Sequence, residues 1–168
     1  THCFNAMTGL HHRHPGVAGA ALTTDCSCEL IADTFHVHPG LYTLLARAKG
    51  EKLVLITDCI RAGGLGDGDY TLGGQAIHVT GVESRLADGT IAGSLLRLNE
   101  AVRHFAVHTG LPLAEAISYA SSHAARVIGL EDSKGSLDAG KDADIVIFDE
   151  QMRPRACFVR GIKKYGTP

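Results

Sequence analysis

Short apolar runs that stop abruptly at polar residues mark the first half of the chain. CELIAD at 28–33 and KLVLITD at 52–58 each close on an aspartate. Apolar runs of this length without alternation read as strands buried on both faces. Between them HPGLYTLLARAKG carries Leu41, Leu44, Leu45 and Ala48 at helical spacing, with Pro39 suited to a first turn and Gly50 to a stop. Strand, helix and strand in that order predict a right-handed βαβ unit in a parallel sheet.

The pattern then changes twice. Residues 59–74, CIRAGGLGDGDYTLGG, are dense in glycine and read as a mobile loop, and AIHVTGVESRL at 76–86 alternates weakly, as in a hairpin turning at Thr80-Gly81. DGTIAGS leads into LLRLNEAVRHFAVHTG, an amphipathic helix with Leu95, Leu98, Val102, Phe105 and Ala106 on one face. A second helix, PLAEAISYASSHAARVIGL, has Pro112 in its first turn. The tail runs KDADIVIFD and RACFVRGIKKY are short strands of a small β module. The fold class is therefore α/β first and β last, with a boundary near residue 130 that separates 1–130 from 131–168.

Composition narrows the partners. The chain has 168 residues, 45% hydrophobic and 20% charged, which is ordinary for a globular protein and enough for one core. A net charge of −2 and a pI near 6.5 give no electrostatic footprint for nucleic acid or an anionic membrane. No apolar run approaches a bilayer span and no signal peptide is visible. Five scattered cysteines without a CxxC pair favour reduced thiols in a cytoplasmic protein. Five of the ten histidines lie before residue 37. The start at Thr1, without methionine, reads as a processed chain or a piece of a longer one.

Candidate chemistry gathers where strands should end, since open α/β sheets and barrels carry their sites there. Asp58 follows LVLIT and would emerge from a buried strand as a general base, or serve only as a turn or N-cap aspartate. His2 is a candidate ligand for Zn²⁺ or Fe²⁺, or a packed imidazole. In HHRHPG, Arg13 beside His11, His12 and His14 points to an anion rather than a cation, with a solvated loop as the alternative. His36 and His38 share a face if extended, but Pro39-Gly40 places His38 at the start of a loop or helix. Cys26 and Cys28 lack a second pair and read as buried thiols. GGLGDGD lacks both the Lys-Ser/Thr of a phosphate-binding loop and the register of a dinucleotide site.

THCFNAM, HHRHPGVAGAAL, LIADTFHVHP, LVLITDCIRAGG, GTIAGSLLRLNEAVR and AARVIGLEDSKGSLDAGKDADIVIFD together resemble the C-terminal half of the N-acetylglucosamine-6-phosphate deacetylase family, within the amidohydrolase superfamily. The first five motifs are specific to the deacetylases; the last recurs across amidohydrolases. The resemblance implies the C-terminal part of a (β/α)₈ TIM-type barrel, strands six to eight, plus the C-terminal strands of a small β-sandwich. It implies a divalent metal, zinc or iron, on His2 and a catalytic role for Asp58. Asn5 and Ala6 match sugar-phosphate contacts, Asp33 to His36 a substrate-contacting stretch, and Ile91, Ala92 and Gly93 a loop over the substrate. Arg13 and His36 match phosphate contacts that reach the neighbouring site across a homodimer. The implied reaction hydrolyses the N-acetyl amide of an amino-sugar phosphate, and the implied partner is an N-terminal half that carries the remaining metal ligands. On this reading the chain alone is inactive. Two alternatives stand beside it: another amidohydrolase, dihydroorotase-like or a deaminase, and a non-catalytic interaction module.

Overall fold

In the computed structural model, which describes residues 1–166, the two apolar runs form parallel strands β1 (Cys28–Ile31) and β2 (Leu53–Ile56). Register pairs Leu30 with Leu55 and Ile31 with Ile56. Both runs read L-I-x-D, so Asp33 and Asp58 leave the sheet at the same level, each two residues beyond a paired isoleucine. Leu30, Ile31 and Leu53 are fully buried, as both-face coverage requires. Helix α1 (Gly16–Thr23) precedes β1, and a short 3₁₀ turn at Pro39–Leu41 leads into the crossover helix α2 (Tyr42–Lys49).

The core face of α2 differs from the expected one. Tyr42, Leu45 and Lys49 are buried, while Leu44 stays 42% exposed. Tyr42 sets this rotation: its ring lies 6.1 Å from that of Phe105, and its hydroxyl accepts the Thr34 N–H at 2.9 Å.

Helix α3 (Leu98–Thr109) starts later than the pattern predicts, leaving Leu95 outside it. The Ser94 hydroxyl takes the Leu96 N–H at 3.0 Å, and Arg97 is extended, so the first helical turn cannot form earlier. Ala101, Val102 and Phe105 make its buried face, and Gly110, left-handed at φ 73°, closes it. The expected second helix is two, α4 (Leu113–Ser118) and α5 (Ser122–Val127). Two contacts break it: the Tyr119 carbonyl accepts the Leu55 N–H of β2 at 2.9 Å, and the Tyr119 ring packs 4.7 Å from Phe105.

The glycine-dense stretch is not wholly a loop. Residues Gly68–Leu72 form β3, which pairs antiparallel with β4 (Gln75–Thr80), and β4 pairs with β5 (Glu83–Leu86). Gly73 and Gly74, at φ 57° and 83°, supply the two left-handed positions of a two-residue hairpin turn. Thus the second hairpin, at Gly81, is the expected one, and the first was hidden by glycine content. The tail forms the antiparallel order β6 (Ile145–Phe148), β7 (Pro154–Val159), β8 (Ile162–Tyr165). Asn99 of α3 ties this sheet to the helices by donating to the Met152 carbonyl at 3.0 Å. A cavity of about 950 Å³, lined by Val102, Ile117, Ile128, Val146 and Phe148 among others, lies between the sheet and the helices. No helix among the described residues is long and apolar enough to cross a membrane.

Phe105 is fully buried between Tyr42 and Tyr119. Phe105→Ala is expected to lower stability by about 3–5 kcal/mol in urea unfolding. Val107→Ala, two residues along and 67% exposed, should change it by less than about 0.5 kcal/mol. Equal effects would show that α3 packs by another face.

Candidate active site

Beyond the strand ends the backbone enters conformations that side chains avoid. Seven non-glycine residues among those described have positive φ, and five of them are His2 (34°), Phe4 (75°), Ala6 (54°), Thr34 (68°) and Asp58 (50°). Three lie in the opening segment, which runs beside β1 through a Cys3 N–H bond to the Glu29 carbonyl at 2.7 Å. The other two follow β1 and β2 directly. Each such residue costs about 1–3 kcal/mol, and such costs persist where a site is over-determined by its surroundings.

His2 is half-buried, and its Nδ1 lies 3.1 Å from the Asn5 carbonyl. A carbonyl only accepts, so Nδ1 donates in this contact and Nε2 is the ring nitrogen left free of it. Imidazole ligands are commonly oriented this way, by a backbone carbonyl behind the ligating nitrogen. The Asn5 N–H in turn donates to the His2 carbonyl at 2.9 Å, closing a tight turn that also carries the exposed Ala6. His2 thus suits one position in a metal site. It does not make a site by itself: no three His, Cys, Asp or Glu side chains among the described residues converge to hold an ion.

The two sheet-end aspartates have opposite fates. Asp33 is 7% exposed and fully bonded: Oδ1 accepts from the Phe35 and His36 N–H groups at 2.9 and 2.8 Å, and Oδ2 lies 2.6 Å from His36 Nδ1. Burial pushes its carboxyl up, but the His36 ring and the two amides outweigh burial and leave it below the usual carboxylate value. His36 is held as firmly, with its side chain 5% exposed. Asp58 is exposed, and its carboxylate has no hydrogen bond or ion pair among the described residues.

The segment Ile91–Ala92–Gly93 runs from β5 to Ser94, the residue that meets the Asp58 backbone. The Ser94 N–H donates to the Asp58 carbonyl at 3.1 Å and the Ile60 N–H to Ser94 at 2.9 Å. Gly93 is left-handed, and a Cβ there would fall 2.2 Å from Ile60 Cγ2. On the other side the Ala92 N–H bonds the Ser84 carbonyl of β5 at 2.9 Å. From the same strand the Arg85 guanidinium sits 5.1 Å from the Phe35 ring centroid. The three-stranded sheet is thereby fixed to both strand ends. Arg13 is placed apart: His11 and His14 exchange backbone bonds at 3.2 and 3.0 Å in an exposed hairpin, and Arg13 makes no ion pair among the described residues. His38 caps the 3₁₀ turn through Nδ1, 3.1 Å from the Gly40 N–H, and does not join His36.

Three contributors escaped the sequence reading. Tyr42 holds Thr34, Ser94 anchors Asp58, and His104 Nδ1 lies 3.0 Å from the Ala32 carbonyl. Only Ser94 carried a signal, its place directly after Ile91–Ala92–Gly93.

Asp58, unbonded just beyond β2, and His2, its Nδ1 turned to a carbonyl, offer the kinds of group that hydrolytic chemistry uses. The match to the amidohydrolase family over residues 5–167 places the chain in that family. It is 46% identical to the N-acetylglucosamine-6-phosphate deacetylase of Bacillus subtilis, covering 96% of this chain and 41% of the relative. A protein of Escherichia coli K12 provisionally named N-acetylgalactosamine-6-phosphate deacetylase is 45% identical, with 95% of this chain and 96% of the relative covered. The crystal structure of the Pasteurella multocida N-acetylglucosamine-6-phosphate deacetylase superposes with a TM-score of 0.93 at 29% identity, covering 97% of this chain and 43% of that one. The chain therefore spans under half the length of most relatives it matches.

Because the folded Asp33 carboxyl lies below its unfolded value, its stabilisation is complete above about pH 4 and is lost as pH falls through the folded value. Asp33→Asn should cost about 1–3 kcal/mol at pH 7, with the gap to wild type narrowing in acid. Urea midpoints from pH 7 down to pH 2.5 check this. A gap that stays constant would remove the carboxylate from the account.

Proposed function

We propose that the chain carries the catalytic-base half of an amino-sugar 6-phosphate deacetylase, which hydrolyses the N-acetyl amide to the free amine and acetate. The observation that carries this reading is the contrast between Asp33, saturated by its own loop, and Asp58, exposed and unbonded at the same level of the sheet. The strand pair and its crossover belong, on this reading, to a (β/α)₈ barrel, and the sheet β6–β8 to a small sandwich domain. The boundary falls near residue 130. Further ligands would come from the segment that longer relatives carry ahead of the matched part, and His2 would hold one position of a zinc or iron site. Such an ion supplies Lewis-acid polarisation of the amide carbonyl and activation of water near neutral pH.

The residues of this chain do the remainder. Asp58 accepts the proton of the attacking water and returns it to the sugar nitrogen as the C–N bond breaks, leaving acetate. Asn5 and Ala6, held in the strained turn behind His2, present polar backbone and amide groups to the sugar phosphate. Ile91, Ala92 and Gly93 cover the substrate and exclude water. Arg13, exposed on its hairpin, would clamp the 6-phosphate of the neighbouring subunit in a homodimer, fixing the amide for attack. His36, bound to Asp33, keeps the adjoining substrate loop in shape and contributes its remaining ring nitrogen to the same phosphate.

A second reading changes only the sugar. Identity to the galactosamine-type relative of Escherichia coli O157:H7, 45%, equals within one per cent that to the glucosamine-type one of Bacillus subtilis, 46%. The galacto epimer is therefore the competing substrate.

Acetate release from each N-acetylhexosamine 6-phosphate, with this chain alone and with the preceding segment of a full-length relative added, tests the proposal. Turnover is expected only in the second case and only with the 6-phosphate present. In that assembly Asp58→Asn should lower kcat by about 10²–10⁴-fold, and Arg13→Ala should act mainly on KM. Near wild-type turnover by Asp58→Asn would sink the assignment.

A further inference from the structure

The loop joining α1 to β1 lies at the N-terminal end of the strand pair, opposite Asp33 and Asp58. Three donors converge there on one carbonyl. Lys49 Nζ lies 2.8 Å from the Ala21 oxygen, and Cys26 Sγ and Cys28 Sγ each lie 3.6 Å from it. A carbonyl oxygen offers two lone pairs, so one donor is surplus. The ammonium is charged and nearest, which leaves the two thiols to compete for the rest. Lys49 is 7% exposed, donates again to the Thr24 carbonyl at 2.8 Å, and faces Cys26 Sγ at 3.9 Å. Shedding the Cys26 proton both relieves the crowded oxygen and gives this buried ammonium an anion.

Access and spacing complete the arrangement. Cys26 is exposed, whereas Cys28, at the first position of β1, is 4% exposed. Both were expected to be buried; Cys26 is not, because α1 ends at Thr23 and the chain turns through solvent before β1 begins. Both sulfurs lie 3.6 Å from the one Ala21 oxygen, which gathers them on the same side of the loop.

We propose that Cys26 and Cys28 form an oxidant-responsive thiol pair, with Cys26 the attacking sulfur and Cys28 the resolving one, whose substrate is a low-molecular-weight disulfide. The Cys26 thiolate attacks one sulfur of the disulfide RSSR, forming a mixed disulfide and expelling RS⁻. Cys28 then gives up its proton and attacks the Cys26 sulfur. The Cys26–Cys28 bond forms, the second RS⁻ leaves, and the proton goes to it. Two protein thiols are oxidised and RSSR is reduced to two RSH.

The electrostatics set the order of the steps. The Thr24 hydroxyl, 3.4 Å from Cys26 Sγ, and then the Lys49 ammonium hold the Cys26 thiol below the usual cysteine value against its slight burial. Thr24 has a single hydroxyl proton and also bonds the Ala20 carbonyl at 2.8 Å, so Lys49 is the steadier influence. Burial pushes the Cys28 thiol up to about 11, with Cys3 on its far side adding to the effect. Asp25, the remaining neighbour, is exposed and paired with Lys52. Capture at Cys26 is fast and resolution by Cys28 slow.

Oxidised glutathione is the probe, added to the intact chain at pH 7 and followed by acid quenching and peptide mass analysis. Cys26 should carry glutathione before any other cysteine, and the Cys26–Cys28 bond should follow. Cys28→Ser should stop at the mixed disulfide, and Cys26→Ser should abolish both products with an unchanged far-UV spectrum. Lys49→Met should slow capture about 3–10-fold and move the midpoint of its rate–pH profile upward. The buried Cys3 serves as the internal control for folding, since it stays unreactive while the chain is native. Faster capture at Cys59 or Cys157, or resolution that persists in Cys28→Ser, overturns the proposal.

Discussion

The pairing of Ile31 with Ile56 constrains everything above it. Two parallel strands in that register deliver two aspartates to one level of one edge, and the chain must then turn each away from a fully apolar sheet. Asp33 does so by folding its carboxylate back on its own loop, where two amides and an imidazole saturate it. A carboxylate so bonded is held below the usual carboxylate value and has little left for a substrate. Asp58 meets the same requirement through its backbone instead. Its carbonyl takes the Ser94 N–H, its φ is left-handed, and the carboxylate is left unbonded. Similar sequence context thus gives one bonded and one unbonded aspartate.

What surrounds that edge is fastened more tightly than its loop character suggests. Residues 91–94 bond to the Asp58 segment on one side and to β5 on the other, while Arg85 lies over Phe35. Strain at His2, Ala6, Thr34 and Asp58 is unfavourable locally and is offset by the aromatic core beneath, where Phe105 links Tyr42 and Tyr119. Tyr42 belongs to both: its ring is core, and its hydroxyl holds Thr34. Burial pushes that hydroxyl up to about 12, so it stays neutral at ordinary pH.

The two ends of the strand pair hold different chemistry. At the C-terminal end stand Asp33 and Asp58; His2, in the segment beside β1, offers one nitrogen, and the described residues contain no complete metal cluster. The match to less than half of most relatives accords with a site that draws on residues outside this sequence. At the N-terminal end Lys49 neutralises the last carbonyls of α1 and brings two thiols to one oxygen. The first arrangement is partial among the described residues. The second is complete within α1, β1 and α2.

Much of this was legible from local pattern. The apolar runs at 28–33 and 52–58 fix two buried strands because no other structure hides four apolar residues so briefly, and the helical spacing between them fixes the crossover. The motif matches found the family, since those residues are set by chemistry rather than by packing. Long-range partners decided the rest. The Leu55 N–H broke a helix at Tyr119, a serine hydroxyl delayed α3, and a Gly-Gly turn made a strand from an apparent loop. Above all, L-I-x-D occurs twice, and nothing within four residues states which aspartate is bound and which is free. That distinction comes from His36 reaching Asp33 and Ser94 reaching Asp58, contacts that exist only once the strands are side by side.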